Sequence, residues 1–546
     1  MNLNFEDIKR KIIDFFQKYW IPVVGAVIIL AVILSCINIY RERVLNVDGS
    51  GKYEAQDTIY LPANSMDTLN PIKTITEDSY YLNKLIYDGL FDFNDDLSVK
   101  PKLVKSYTVN TEKSYIDIKL KTGIKFHDGK TLTAKDIKFT VDAIKSQGKT
   151  SLYYEKVSKI YSVNLEKDKD YELRIYFKDN YDCALDNLTF PIVSSNQHNS
   201  VSAFLKDEKF TPVGTGMYKV ESYDQYKELK LIPNTSYFDG VAKNNIVAQI
   251  IPDKSNLANL IENGMITCYL EKGSDRRTTV TDNDFKMYDI VSNEVDFIYF
   301  NTSGIFKETN MRKAVCYAID SESVLEKGYM NDGILTDTIY FPNFLGVKEE
   351  GKSYKFDIDK TAMLLAKEGY VDEDMDGIYE DEKKKPLNVT ILVNSDNANR
   401  IAAAKVISSN LQKAGFNTTV NSVPWEEYEA LIKRKSFDIL VTGYMIEESY
   451  DLTSLFNGKA LWGYENEEIF NKARELERLY DQSVYSKKYE ELKDLLIEEV
   501  PYYPLCYKKM GLIGAKTLDA DNLPMFNNYY RNIETWKWSK LVSNEE

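Results

Sequence analysis

The passage from Leu387 to Gly443 alternates the hydrophobic patterns of strands and helices, and this alternation restricts the possible folds more than any other feature of the sequence. It begins with LNVTILVN (387–394), a strand-like run, and continues with a helical pattern from about Asn397 to Ala414 that Gly415 ends. The segments NTTVNSV, WEEYEALIKR and FDILVTG then read as a strand, a helix and a strand. This β-α-β-α-β order predicts an α/β fold with a mostly parallel sheet covered by helices.

Three acidic side chains follow the last of these strands, at the edge where such sheets bind their ligands. The segment GYMIEESYD (443–451) places Glu447, Glu448 and Asp451 close to the apolar run. Carboxylates rarely lie beside apolar segments unless a cation or a hydrogen-bond donor pairs with them. We therefore predict that one of these acids binds a positively charged group of a ligand. The alternative is a solvated acidic loop.

The size and charge of the chain exclude several classes of protein. With 546 residues, of which 43% are hydrophobic, the chain is globular and long enough for about two to four domains. Its net charge of −15 repels phosphate backbones. Nucleic acid is therefore not expected as a partner.

Histidine and cysteine are too sparse for the common metal sites and for histidine-based catalysis. The two histidines are His127 and His198, and the five cysteines lie far apart, at 36, 183, 268, 316 and 506, without a CxxC pair. Cys316 falls on an apolar helical face, which predicts a packed, inert thiol. The sequence also lacks a nucleophile elbow and a phosphate-binding loop, so we expect neither an enzyme nor a metal or other cofactor.

An apolar run from Trp20 to Tyr40 is long enough to cross a bilayer, which takes about 20 mostly apolar residues. More basic residues precede this run than follow it. We therefore expect residues 1–19 to stay in the cytoplasm and the chain after a linker at 41–55 to lie outside the cell membrane. The alternative is a lipoprotein signal cleaved before Cys36, which would then carry the lipid.

The acidic segment DEDMDGIYEDEK (372–383) resembles a calcium-binding EF-hand loop at positions one, three, five and six. Lys383 occupies the twelfth position, where the EF-hand requires a bidentate glutamate. We therefore expect a solvated acidic turn at this place rather than a calcium site.

Several segments, in order along most of the chain, resemble one family of proteins. Near the start these are MDTLNP, YLNKLIYDGLF and IKLKTGIKFHDGKTLTAKDIKFTVDAI; further on they are PVGTGMYKV, LIPNTSYFDG, FIYFNTS, MRKAVCYAIDSESVL, KEGY and VPYYPLCY. The family is family 5 of the extracellular solute-binding proteins of ABC transporters, which capture peptides and nickel complexes. Two segments also have a physical interpretation of their own. Thr133 is expected to cap a helix, and Gly214 and Gly216 allow one backbone segment to approach another.

The resemblance implies a type II periplasmic-binding-protein-like fold, in which a hinge joins two α/β lobes and a subdomain is inserted into the first. The solute-binding domain would cover 56–546. Lobe I would comprise about 56–80, 186–285 and 515–546, the inserted subdomain about 81–185, and lobe II about 286–514. Because the chain would cross twice between the lobes, we expect the lobes to close on a ligand by a hinge motion.

The resemblance also implies a role for the acids after the last strand. In peptide-binding members of the family, an acidic residue shortly after this strand pairs with the α-ammonium group of the peptide. Glu447 matches that position, and Asp451 and Glu448 are the next candidates. The family commonly has Trp where this chain has Tyr444, and Asp where it has Glu447. The expected aromatic contacts are Tyr444, Tyr80 and Tyr81.

The function that the resemblance implies is the capture of oligopeptides outside the cell membrane and their delivery to an ABC permease and its ATPase. One alternative is the binding of nickel or another metal chelate in the same fold, which the two histidines disfavour. Another is a receptor that senses peptides without transporting them.

Overall fold

The computed structural model describes residues 9–10, 52–179, 184–273, 285–349, 351–447, 451–461, 463–476 and 482–542. The chain divides into two compact units, one formed by residues 57–538 and the other by residues 1–56 and 539–546. The predicted membrane span at 20–40, with Cys36, and the candidate site residue Glu448 lie outside the described residues. Where the structure describes the chain, no helix is both long and apolar enough to cross a membrane.

Strands and helices alternate through most of the described chain. The strands are β1 Lys52–Gln56, β2 Thr58–Ala63, β3 Phe91–Phe93, β4 Val99–Pro101, β5 Val104–Asn110, β6 Tyr115–Leu120, β7 Ile160–Leu165, β8 Glu172–Phe177, β9 Tyr218–Asp224, β10 Glu228–Pro233, β11 Asn245–Ile250, β12 Cys268–Glu271, β13 Phe285–Phe300, β14 Gly333–Ile334, β15 Asn388–Asn394, β16 Asn417–Val423, β17 Ile439–Met445, β18 Tyr502–Ala515 and β19 Trp538–Val542. The helices are α1 Glu77–Ile86, α2 Ala134–Gln147, α3 Tyr154–Ser158, α4 Val201–Lys206, α5 Leu257–Glu262, α6 Thr309–Ala318, α7 Ser321–Tyr329, α8 Ile358–Lys367, α9 Ala398–Lys413, α10 Trp425–Lys433, α11 Glu467–Leu476 and α12 Gln482–Glu499.

The largest sheet has seven strands, in the order β12-β18-β13-β17-β15-β16, with β14 paired to β18. The predicted β-α-β-α-β passage forms part of it, since β15 is parallel to both β16 and β17. The expectation of a mostly parallel sheet is wrong, because β13 is antiparallel to β17 and β18, and β18 is antiparallel to β12 and β14. These flanking strands come from distant parts of the chain, so the local pattern could not indicate their direction.

The predicted ends of the helix α9 are confirmed. Asn397 caps its start by accepting a hydrogen bond from the Arg400 N–H, and Gly415 follows its end with a φ of +91°. A residue with a side chain is strained in that left-handed conformation, so glycine suits the position.

Two four-stranded sheets lie in the first half of the chain, beside the two-stranded pair β3-β4. One has the order β2-β11-β10-β9, with β2 parallel to β11, and the other is the antiparallel sheet β5-β6-β8-β7. The predicted start of α2 is confirmed, because Thr133 and Asp136 form a capping box there. In the other unit β1 pairs with β19, so the end of the predicted linker is a strand.

Apolar side chains of α6 to α9 pack on the parallel strands and form one of the cores. Cys316 lies in this core without exposed surface. Burial raises the pKa of its thiol. The prediction of a packed thiol is therefore confirmed, and a buried thiol with a raised pKa is expected to be unreactive.

The turn at His127 is joined to the segment Gly214–Gly216 through the imidazole ring. Nε2–H donates to the Gly216 carbonyl at 3.0 Å, and Nδ1 accepts from the Gly214 N–H at 3.3 Å, which requires a neutral ring. A Cβ atom at Gly214 would lie 1.9 Å from the Ile86 carbonyl oxygen, so the predicted close approach of two backbone segments is confirmed. Burial of His127 lowers its pKa from 6.5 to about 4.

This histidine should make the fold sensitive to acid. Because its pKa is lower in the folded chain, protons bind the unfolded chain more readily as the pH falls from 6.5 towards 4. The matched variant is His127→Gln, whose side chain keeps a donor and an acceptor but does not titrate. Between pH 6.5 and pH 4 the free energy of unfolding should fall by on the order of 3 kcal/mol more in the wild-type protein than in this variant. Urea denaturation at a series of pH values measures the difference, and parallel pH profiles would contradict the assignment.

Candidate ligand-binding cleft

The strand β17 delivers Glu447 to the carboxyl end of the parallel strands. Residues 439–442 of this strand are buried, Tyr444 is half-buried and Ile446 is buried again. Asn293 fixes the turn that follows, because its carbonyl accepts from the Ile446 N–H and its side-chain amide donates to the Ile446 carbonyl, both at 2.9 Å. Glu447 comes next and is exposed.

Beside this strand end lies a buried carboxylate. Asp296 on β13 pairs in register with Gly443 on β17, and its side chain has 0% exposed surface. Arg400 Nη2 lies 2.7 Å from its Oδ1, and the Tyr329 hydroxyl donates to its Oδ2 at 3.0 Å. A Cβ atom at Gly443 would lie 2.0 Å from the Arg400 Nη2. Glycine therefore leaves the space that the ion pair requires.

The predicted residues Tyr444, Glu447 and Asp451 lie near one another. Burial raises the pKa of Tyr444, a hydrogen bond with Ser454 lowers it, and the charges of Glu447 and Asp451 raise it further. Asp451 also has a local role, because its Oδ1 accepts from the N–H of Thr453 at 2.9 Å and from its hydroxyl at 2.5 Å. This turn occupies one carboxylate oxygen of Asp451, which makes Asp451 a weaker ligand candidate than Glu447.

The predicted aromatic residues of α1 face the same cleft. The Tyr81 ring stacks on Tyr529 with its centroid 3.7 Å away, and its hydroxyl donates to the Phe526 carbonyl at 3.0 Å. The Tyr80 ring stacks on Tyr153 at 5.8 Å. These contacts fix both rings before any ligand binds.

A cleft with about 1260 Å³ of free volume, its open mouth included, brings Tyr80, Tyr81 and Glu447 together. The sequence patterns did not indicate other residues of its lining, which include Ile75, Leu152, Tyr153, Glu155, Lys156 and Lys159. They come from loops and from the short helix α3, where no periodic pattern indicates which way a side chain faces. Tyr444 and Asp451 are not part of this lining.

Glu447 and Glu77 line the same cleft but differ in their partners. Glu77 Oε1 lies 2.6 Å from Lys272 Nζ and accepts a hydrogen bond from the Tyr529 hydroxyl at 3.1 Å. In the part of the chain that the structure describes, Glu447 makes no hydrogen bond or ion pair. Its carboxylate is therefore available to a cationic group of a ligand.

The acidic turn at 372–376 brings carboxylate oxygens of Asp372, Asp374 and Asp376 within 4.8 Å of one another. They accept hydrogen bonds from amides of the same turn, including the Gly377 N–H at 3.0 Å and the Ile378 N–H at 2.7 Å. Such bonds also form in a solvated turn, which stays our prediction for this segment.

The ion pair of Asp296 and Arg400 should be needed for stability. Arg400→Met leaves a buried carboxylate without its guanidinium, and we expect a loss of about 3 kcal/mol in the free energy of unfolding. Adding Asp296→Asn removes the charge that has lost its nearest cation, since Lys508 Nζ lies further off at 3.8 Å, and should restore about half of that loss. Urea denaturation of the single variants and of the double variant measures both effects. Additive losses in the double variant would contradict this account of the pair.

A family model of bacterial extracellular solute-binding proteins, family 5 (middle region), matches residues 98–460. The chain belongs to this family, whose members are extracytoplasmic binding proteins of ABC transporters. The resemblance found in the sequence is thereby confirmed, as is the periplasmic-binding-protein-like α/β fold.

Individual relatives agree with this assignment. The chain is 26% identical over 559 residues to the oligopeptide-binding protein AppA of Bacillus subtilis (strain 168), covering 96% of this chain and 99% of AppA. The structure of the Bacillus subtilis AppA in complex with a nonapeptide is similar with a TM-score of 0.54 and 24% identity, over 90% of this chain and 100% of that one. The crystal structure of a nickel ABC transporter from Bacillus halodurans is similar with a TM-score of 0.74 and 18% identity, over 88% and 100% of the two chains.

Proposed function

We propose that this protein captures oligopeptides in the cleft and delivers them to an ABC permease and its ATPase, without catalysing a reaction. The observation that carries the proposal is the free carboxylate of Glu447 in a cleft walled by tyrosines. The oligopeptide ligand named for the Bacillus subtilis relative supports it.

The amino terminus of a bound peptide needs a partner of opposite charge. A peptide enclosed between two lobes loses water around its α-ammonium group, and an unpaired buried charge costs several kcal/mol. Glu447 can compensate that charge, because no group of the described chain already neutralises it. The fixed rings of Tyr80 and Tyr81 offer flat surface to the peptide without a large loss of side-chain entropy.

The predicted lobes would move about β13 and β18. The proposed crossing points between lobes, near residues 285 and 515, are the first residue of β13 and the last residue of β18. Phe285 and Ala515 pair directly in the sheet, so the two crossings are neighbours. Two adjacent crossings suit a hinge, because both strands can bend together.

The position at the membrane is part of the same proposal. The run from Trp20 to Tyr40 would hold the protein at the outer face of the cell membrane, either as a retained span or through a lipid on Cys36. Mass spectrometry of the mature protein distinguishes the two, since an intact amino terminus excludes lipoprotein processing.

Glu447→Gln should weaken the binding of peptides with a free amino terminus by roughly ten- to a hundredfold, because a charge-assisted hydrogen bond becomes a neutral one. N-acetylated peptides of the same sequence should bind the wild-type protein and the variant equally. Calorimetry with both kinds of peptide measures the effect. The matched control is Glu426→Gln, an exposed glutamate on α10 outside the cleft, which should change neither affinity. Equal affinities for Glu447→Gln and the wild-type protein would reject the role of Glu447.

Nickel binding remains the second candidate because of the likeness to the nickel transporter structure. Neither histidine lines the cleft, and both are engaged elsewhere, His127 with Gly216 and His198 with Asp207 at 2.9 Å. A metal would have to arrive with its own ligands. Calorimetry with nickel chloride, alone and with free histidine, decides whether the cleft takes metal chelates instead of peptides.

A further inference from the structure

Two large apolar side chains are exposed inside the cleft. Ile75 is 70% exposed and Leu152 is 50% exposed, and both line the cleft with Glu447. They come from separate parts of the chain, one just before α1 and the other just before α3. Apolar surface that converges on a cleft from different segments is a common property of binding sites.

A single carboxylate holds the backbone at Ile75. Asp67 Oδ2 accepts from the Ile75 N–H at 2.8 Å, and Oδ1 accepts from the hydroxyls of Thr74 at 2.6 Å and Thr76 at 2.8 Å. Burial raises the pKa of Asp67, but these hydrogen bonds, with one from the Thr68 backbone, leave it lowered. The ionised carboxylate therefore fixes the segment that presents the Ile75 side chain.

The backbone at Leu152 is held by its neighbours. Ser151 and Tyr153 on either side are buried, and the Ser151 N–H donates to the Gly148 carbonyl at 2.9 Å. The Tyr153 ring stacks on Tyr80. Leu152 is thus the exposed residue between two anchored ones, and its exposure is a consequence of the fold.

We propose that Ile75 and Leu152 form a subsite for an apolar side chain close to the amino terminus of the bound peptide. This inference rests on the proposed function, since Glu447 in the same cleft fixes where the amino terminus lies. The backbone at both residues is already held in place, so the packing of a ligand side chain on them orders only their side chains and not the chain that carries them. Without a ligand they stay in contact with water, and an aromatic or branched aliphatic side chain would remove them from it.

The test uses three peptides with free amino termini: Phe-Gly-Gly, Gly-Phe-Gly and Gly-Gly-Gly. Calorimetry on the full chain in detergent should show that the wild-type protein binds the better of the two phenylalanine peptides at least about tenfold more tightly than triglycine. In Ile75→Ser and in Leu152→Ser the ratio of the affinity for that phenylalanine peptide to the affinity for triglycine, which we call the phenylalanine advantage, should fall close to one. The affinity for triglycine itself should stay unchanged.

The matched control is Val241→Ser, which changes a branched apolar residue that is 49% exposed but outside the cleft. It should keep the full advantage of the phenylalanine peptides, and thermal unfolding should show that all three variants fold. An unchanged advantage in both cleft variants, or no advantage in the wild-type protein, overturns the subsite while peptide binding stands. If no peptide binds the wild-type protein, the proposed function itself fails and the subsite fails with it.

Discussion

The large sheet depends, at the end of β17 beside the cleft, on one buried carboxylate, that of Asp296. It lies on β13, between Gly443 of β17 and Cys506 of β18, without contact to water. A charge in such a place is tolerated only when it is paired and hydrogen-bonded, and Arg400 and Tyr329 meet that requirement. This network joins the helix α9, the helix α7 and the central strands at the point where β17 leaves the sheet. Beyond that point Asn293, also on β13, holds Ile446 through two hydrogen bonds, and Glu447 follows directly.

Burial and partners give carboxylates of similar chemistry different roles in this region. Asp296 is enclosed and neutralised by the fold, so it contributes to structure. Asp451 and Glu77 are engaged by a local turn and by Lys272, respectively. Glu447 is exposed in the cleft and has no such partner among the described residues. Of these four acids, Glu447 therefore has the fewest internal contacts and the most to gain from a ligand.

Local signals explain which parts of this structure could be predicted from the sequence. The cap at Asn397, the stop at Gly415 and the strands β15, β16 and β17 are set by short-range rules of hydrogen bonding and backbone conformation. The antiparallel flanks of the sheet depend on pairings between distant segments, which no local pattern encodes. The exposure of Ile75 could not be predicted either. Isoleucine is most often a core residue, and only the contacts of the folded chain show that this one is exposed. The turn that occupies Asp451 is also local, because an Asp side chain commonly bonds the backbone two residues further on, so the pair Asp451 and Thr453 could have indicated it.

The proposed ligand contacts come from both sides of the predicted hinge, and that distribution decides what the ligand must contain. Glu447 belongs to the predicted lobe II, whereas Ile75 and Tyr80 belong to lobe I and Leu152 to the inserted subdomain. A ligand that contacts one lobe alone binds the open and closed forms equally and cannot drive closure. An ammonium group alone would engage only Glu447, and an apolar group alone would engage only the opposite wall. A molecule that carries both within a few bonds of each other, as the amino-terminal part of a peptide does, would gain its second contact only when the predicted lobes close.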